Sequence, residues 1–163
     1  MKIETLRELL IDELQDLHSA EEQITKALPK IIKASHSPAL KQAFEHHLEE
    51  TKNHVTRLEQ IFKRMNESPG GKTSEAMKGL LKEGEERIHD GGEAEVLDAG
   101  LISAAQRVEH YEIAAYGSAR TYAELLGNHD AVQLLSQTLE EEKAADAKLG
   151  QVARRVNVEA KAA

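Results

Sequence analysis

Four stretches of this chain repeat apolar residues every three or four positions over lengths that suit long amphipathic helices, and each breaks its stripe with an ionisable residue. One reads Leu135, Leu139, Glu142, Asp146, Leu149, Ala153, and another reads Leu40, Ala43, His47, Glu50, His54, Ile61, Met65. Residues four apart on a helix stand on one face. Glu50 with His54, and Glu142 with Asp146, are therefore two potential ligand pairs at positions that should face a core. Ionisable groups in such places are costly unless they are paired or bind metal.

The other two stripes each carry a carboxylate near the middle. Leu6, Leu10, Glu13, Leu17, Glu21, Ile24, Leu28, Ile31 places Glu21 mid-stripe, and Leu101, Ala105, Val108, Glu112, Ala115, Ala119, Tyr122, Leu126 does the same for Glu112. Thr5 and Glu8 form a capping-box pattern at the first start. Pro29 should bend the last turns of that helix without ending it. Ser37-Pro38 opens the second helix, with proline at its favoured first position, and so short a link predicts an antiparallel hairpin. Thr73 or Ser74 caps a shorter helix weakened by Gly79 and Gly84. The pattern predicts helices over 3–35, 38–66, 94–126 and 130–157, a crossover helix over 74–89, and fraying at the alanine-rich end. No segment alternates with period two. The expected fold is all-α, one domain over 1–163, with two antiparallel hairpins forming a four-helix bundle.

Composition removes several functions. The chain has no cysteine, so thiolate nucleophiles, disulfides and iron–sulfur clusters are excluded. Any metal must take carboxylate and imidazole ligands, which suit iron, manganese and sometimes zinc. A net charge of −8, with basic residues interspersed among acids, argues against nucleic-acid binding. No run is long and apolar enough for a membrane span, and Met1-Lys2-Ile3-Glu4 lacks a signal peptide's apolar core. A cytoplasmic protein is expected.

The two halves echo each other. The spacing from Glu21 to Glu50 is one residue shorter than that from Glu112 to Glu142. Two hairpins, each offering one carboxylate and one ligand pair, describe a dinuclear carboxylate site inside a four-helix bundle. Aligning the helices by their leucines instead sets Glu141 against Glu50, so the inward residue is Glu142 or Glu141, with the Asp146 spacing favouring Glu142. His47 also lies on its stripe, where a packed or supporting role is expected over ligation. Tyr116, one turn beyond Glu112, could hydrogen-bond a metal-bound oxygen, although packing is the expected role.

Leu48-Glu49-Glu50-Thr51 with His54-Val55, the run from Ala104 to Gly117, and Leu139-Glu140-Glu141-Glu142-Lys143-Ala144-Ala145-Asp146 resemble the YciE/YciF family of bacterial ferritin-like stress proteins. The resemblance covers nearly the whole chain and is most specific between Ala104 and Gly117. It implies a rubrerythrin-like bundle, a homodimer, and two iron or manganese ions per chain. Glu21 and Glu112 would be opposed carboxylates, Glu50 with His54 one ligand pair, and Glu142 with Asp146 the other. Glu109, one turn before Glu112, is either a further ligand or a surface residue.

Two departures stand out. Each pair has one more intervening residue than the usual Glu-x-x-His, and Asp146 stands where histidine is common. With a single imidazole the site would be harder and more anionic. The missing cysteines also remove a rubredoxin-like module, so a reductant would be external. Three readings remain open: a peroxidase-, catalase- or oxidase-type enzyme acting on peroxide or oxygen, a metal-binding or storage protein without turnover, and a metal-free dimeric scaffold.

Overall fold

The computed structural model describes residues 3–163 and is helical throughout, with five helices among the described residues. Met1 and Lys2, part of the signal-peptide reading, lie outside them. The helices are α1 (Leu6–Ala34), α2 (Pro38–Met65), α3 (Glu75–Asp90), α4 (Ala94–Leu125) and α5 (His129–Ala162). The expected boundaries fall close to these, except at the C-terminus. There α5 continues through the alanine-rich end, where good helix formers and an Arg155–Glu159 pair one turn apart extend it.

The caps explain where the helices start. Thr5 accepts from the Glu8 backbone N–H while the Glu8 carboxylate accepts from the Thr5 N–H, the reciprocal capping box. Ser37 caps α2 with Pro38 in its first turn, Ser74 caps α3, and Asn128 caps α5. Pro29 lies inside α1, which runs on to Ala34.

Helices α1, α2, α4 and α5 form the bundle. α1 packs on α2 and α4 on α5, α2 meets α5 and α1 meets α4 across the core, and α3 crosses over α1 and α4. Two side chains anchor the connections. Asp98, buried at the start of α4, accepts from the backbone N–H groups of His36 (2.9 Å) and Ser37 (2.6 Å) and holds the α1–α2 turn. Asp16 accepts from the Ser74 hydroxyl at 2.8 Å and from the Tyr111 hydroxyl, tying the start of α3 to α1 and α4.

Two apolar clusters fill the bundle. One contains Leu10, Leu14, Leu17, Leu58, Phe62, Ala119 and Leu135; the other contains Ile24, Leu28, Leu40, Phe44, Ile102, Leu149 and Val156. Each fully buried leucine or phenylalanine here contributes about 2 kcal/mol. Along each bundle helix, the ionisable residues fall between members of the two clusters. Glu21 follows Leu17 and precedes Ile24, His47 and His54 lie between Phe44 and Leu58, and Glu142 lies between Leu139 and Leu149. A charged layer thus separates two apolar ones. No described helix is long and apolar enough to cross a membrane.

Candidate metal centre

Four helices deliver six ionisable side chains into that layer. Glu21 comes from α1, His47 and His54 from α2, Glu109 and Glu112 from α4, and Glu142 from α5; all are buried. Their ligand atoms form two groups. Glu21, His54 and Glu142 make one, and His47, Glu109, Glu112 and Glu142 make the other, the atoms of each group lying within 4.8 Å of one another. Glu142 belongs to both. A carboxylate common to two adjacent ligand sets is compatible with a dinuclear site in a four-helix bundle.

The distances within the groups are short. His54 Nδ1 lies 2.9 Å from Glu142 Oε1 and 3.3 Å from Glu21 Oε1, and His47 Nε2 lies 3.3 Å from Glu109 Oε1. Yet His54 Nδ1, both ring nitrogens of His47, both oxygens of Glu112 and of Glu142, and one oxygen each of Glu21 and Glu109 have no aligned hydrogen-bond partner. Buried polar atoms are normally satisfied. Many orphaned ligand atoms at close range, facing one another without hydrogen-bond alignment, fit a cation held among them.

The electrostatics agree. Burial, reinforced by the Glu142 charge, pushes Glu109 and Glu112 well above the usual carboxylate range. Burial also raises Glu21, against the opposing pull of His54. For Glu142 burial acts upward too, but the close approach of His54 and the charge of His47 hold it below the ordinary value. His54 itself would be lowered by burial, yet Glu142 and Glu21 drive it up to about 11. Without a cation, protons must supply the missing positive charge.

A supporting shell surrounds one group. Arg57 grips Glu141 through Nη1 and Nη2, at 2.5 and 2.9 Å, and Nη1 also donates to the Thr138 hydroxyl at 3.1 Å. Burial opposes ionisation of Glu141, but the Arg57 hydrogen bonds and His54 hold its pKa below the usual range. Tyr116, fully buried, donates to Glu21 Oε1 at 2.5 Å and meets the His54 ring edge-on.

Glu21, His54, Glu109, Glu112 and Glu142 come together, while Glu50 and Asp146 stand outside both groups. Glu50, its side chain 21% exposed, turns to His46 at 3.2 Å and lies 3.9 Å from His47. Asp146, 25% exposed, accepts from Gln106 at 3.1 Å and lies 3.7 Å from His110. The structure therefore does not bring together the two members of the pair Glu50/His54, nor those of Glu142/Asp146, in one ligand group. A separation of four residues advances the helix about 40° beyond a full turn, enough to send one member of each pair toward the bundle surface. His47 takes the inward place. Its signal in the sequence is the seven-residue interval to His54, two helical turns that set both imidazoles on one face.

Comparisons with known proteins place the chain in a family. Residues 5–163 match the family model DUF892, a domain of unknown function. Protein YciF of Escherichia coli strain K12 is 46% identical over 154 residues, covering 94% of this chain and 93% of that protein. The crystal structure of the E. coli stress protein YciF superposes with a TM-score of 0.92 at 44% identity, over 94% of this chain and 98% of that one. YcfI of Rhodopseudomonas palustris gives a TM-score of 0.89 at 45% identity, over 91% and 95% of the two chains. Sharing this helical-bundle fold and nearly half its residues with YciF over almost the whole length, the chain belongs to the YciF family of DUF892 domains.

Proposed function

We propose that the buried layer holds two divalent metal ions, iron or manganese, and that the protein carries out peroxide- or oxygen-linked redox chemistry during stress, as a cytoplasmic homodimer served by an external reductant. The observation that carries this reading is the pair of ligand groups joined at Glu142, rich in buried atoms without partners.

The residues fit such ions. Glu21, His54 and Glu142 would hold one, and His47, Glu109, Glu112 and Glu142 the other. Oxygen and imidazole donors without thiolate suit iron and manganese, and the carboxylates of Glu21, Glu109, Glu112 and Glu142 would balance two divalent charges. When bound, such a pair supplies electron exchange with peroxide or oxygen. The chain's own groups would prepare that chemistry. Glu141 orients His54, Tyr116 offers a hydroxyl proton at Glu21 Oε1, and the two apolar clusters exclude water on either side.

A metal-free scaffold is the second reading. Its supporting observation is His54, whose pKa of about 11 makes it an internal cation between Glu21 and Glu142. Elemental analysis of untagged protein decides between them. The first reading expects about two iron or manganese atoms per chain, lost in Glu142→Ala with Glu112→Ala, and peroxide consumption that follows the metal. Protein that stays metal-free after anaerobic reconstitution with ferrous iron would leave only the scaffold.

A further inference from the structure

The charged layer meets solvent differently on its two sides. Beside His54 and Glu21, the Arg57 guanidinium on Glu141 and the buried Tyr116 stand in the way, and a fixed positive charge repels an entering cation. Beside His47 and Glu109, a cavity of about 400 Å³ opens between α2 and α5, with His46, Glu50 and Lys148 on its walls. A water molecule takes about 30 Å³, so the cavity has room for an ion that still carries waters.

From this opening a series of donor groups runs inward along α2. His46, its side chain 75% exposed, places Nε2 3.2 Å from Glu50 Oε1. Glu50, 21% exposed, has its other oxygen 3.9 Å from His47 Nδ1. His47, 7% exposed, has Nε2 3.3 Å from Glu109 Oε1, inside the buried ligand group. Exposure falls at each step, and each step joins an imidazole to a carboxylate, donors that suit divalent iron and manganese. His47 is the joint between outside and inside. One ring nitrogen faces Glu50 and the other faces Glu109, and neither has a hydrogen-bond partner. A swing of that ring into the cavity would open the way inward, and the alanines on the walls, Ala43, Ala144 and Ala145, leave space for it.

We propose that His46 and Glu50 capture a divalent cation at the cavity mouth and pass it by His47 into the buried layer, as entry ligands and not as residents of the centre. The inference deepens the proposed function, resting on its metal centre but not on its redox chemistry. The test follows cobalt(II) into metal-free full-length protein by stopped-flow absorbance of its ligand-field bands. Release into excess chelator and equilibrium affinity are measured on the same samples. An entry ligand speeds both directions and leaves the end state alone.

Glu50→Gln is expected to slow loading and release alike, each about tenfold, with stoichiometry, affinity and Tm unchanged. His46→Gln should slow loading about threefold. Glu49→Gln makes the same charge change at an exposed neighbour paired with Lys52 and should leave the rate as it is. Lys148→Gln removes an opposing charge from the cavity wall and should speed loading about twofold. Loading of Glu50→Gln at the parental rate, or equal slowing in Glu49→Gln, would overturn the entry role and leave the buried centre standing. Lost affinity or stoichiometry in Glu50→Gln would overturn it as well, by making Glu50 a ligand of the centre. Protein that takes up no cobalt at equilibrium would defeat the entry role and the metal centre together. The expected rates in a protein whose iron and manganese forms leave peroxide and oxygen untouched would uphold the entry role and defeat the redox reading.

Discussion

Glu141 Oε2 lies 2.9 Å from His54 Nε2, on the ring edge opposite the nitrogen that faces Glu21 and Glu142. Glu141 is held ionised by Arg57, so it can only accept, and Nε2 must carry the proton. That leaves Nδ1 as the nitrogen free to bind a cation. Carboxylate partners of this kind fix both the tautomer and the orientation of a ligating histidine. Glu141→Gln and Arg57→Met should each weaken metal affinity about 10- to 100-fold, measured by chelator competition, with helical content unchanged. Equal affinity in both would remove Glu141 from this role.

Metal stoichiometry should distinguish shared from unshared ligands. Glu142→Ala removes a residue common to both groups and should abolish binding at both. Glu21→Ala touches one group alone, and retained metal close to one atom per chain is expected from elemental analysis. Identical full loading in the two variants would separate Glu142 from the centre.

The pH dependence of the metal-free protein has a definite sign. Glu109 and Glu112 have raised pKa values when folded, so above the ordinary carboxylate value of about 4.3 the unfolded chain gives up protons that the folded one keeps. His54, raised to about 11, acts in the same direction above its ordinary value of about 6.5. Stability of chelator-stripped protein should therefore fall as pH rises from 5 to 9. Metal competes with those protons, so the gap in Tm between loaded and stripped protein should widen over the same interval. Calorimetric scans across pH read both trends, and a gap that narrows would count against metal at this site.

Glu112→Gln should part stability from binding. It replaces a carboxyl that burial forces to keep its proton and preserves the shape. At pH 8 in chelator its Tm should rise by about 2–4 °C, the equivalent of about 1 kcal/mol in a chain of this size, while metal content falls. A lower Tm in chelator would show that Glu112 is satisfied without a cation.

Asp98 makes a structural prediction far from the centre. Its carboxylate satisfies the His36 and Ser37 N–H groups at the α1–α2 turn. Asp98→Ala should cost about 3 kcal/mol by leaving those donors short of partners, read from urea unfolding, with metal content preserved. A loss below about 0.5 kcal/mol, the ordinary range for surface changes, would mean water replaces the carboxylate.

The fold was legible in the sequence because each bundle helix carries several turns of apolar period, and Thr5 and Ser37 cap the starts of α1 and α2. Thr5, Ser37 and Ser74 act on backbone within three residues, so their roles need no tertiary context. The C-terminal extension of α5 was less visible, since alanine favours helix whether or not anything packs on it. At the site, Glu21, Glu112 and Glu142 stand out as charges within apolar stripes, and the structure places them together. Glu50 and His47 are harder to tell apart. They are three residues apart, their directions differ by about 60°, and the choice rests on how α2 rotates against α4 and α5. Glu141 was visible only as the alternative to Glu142. The structure uses both faces of that adjacent pair, Glu142 inward and Glu141 bracing His54 from the side.

The charged layer also divides the hydrophobic interior into two blocks that share few apolar contacts of their own. Whatever neutralises Glu21, Glu109, Glu112 and Glu142 then acts as the coupling between the blocks. With cations in place the bundle should open as one unit. With protons alone each end can breathe separately, giving the amides of Leu10 to Leu17 and of Val152 to Val156 different exchange lifetimes. In this arrangement, the ions that would do the chemistry also make the two halves of the protein one cooperative body.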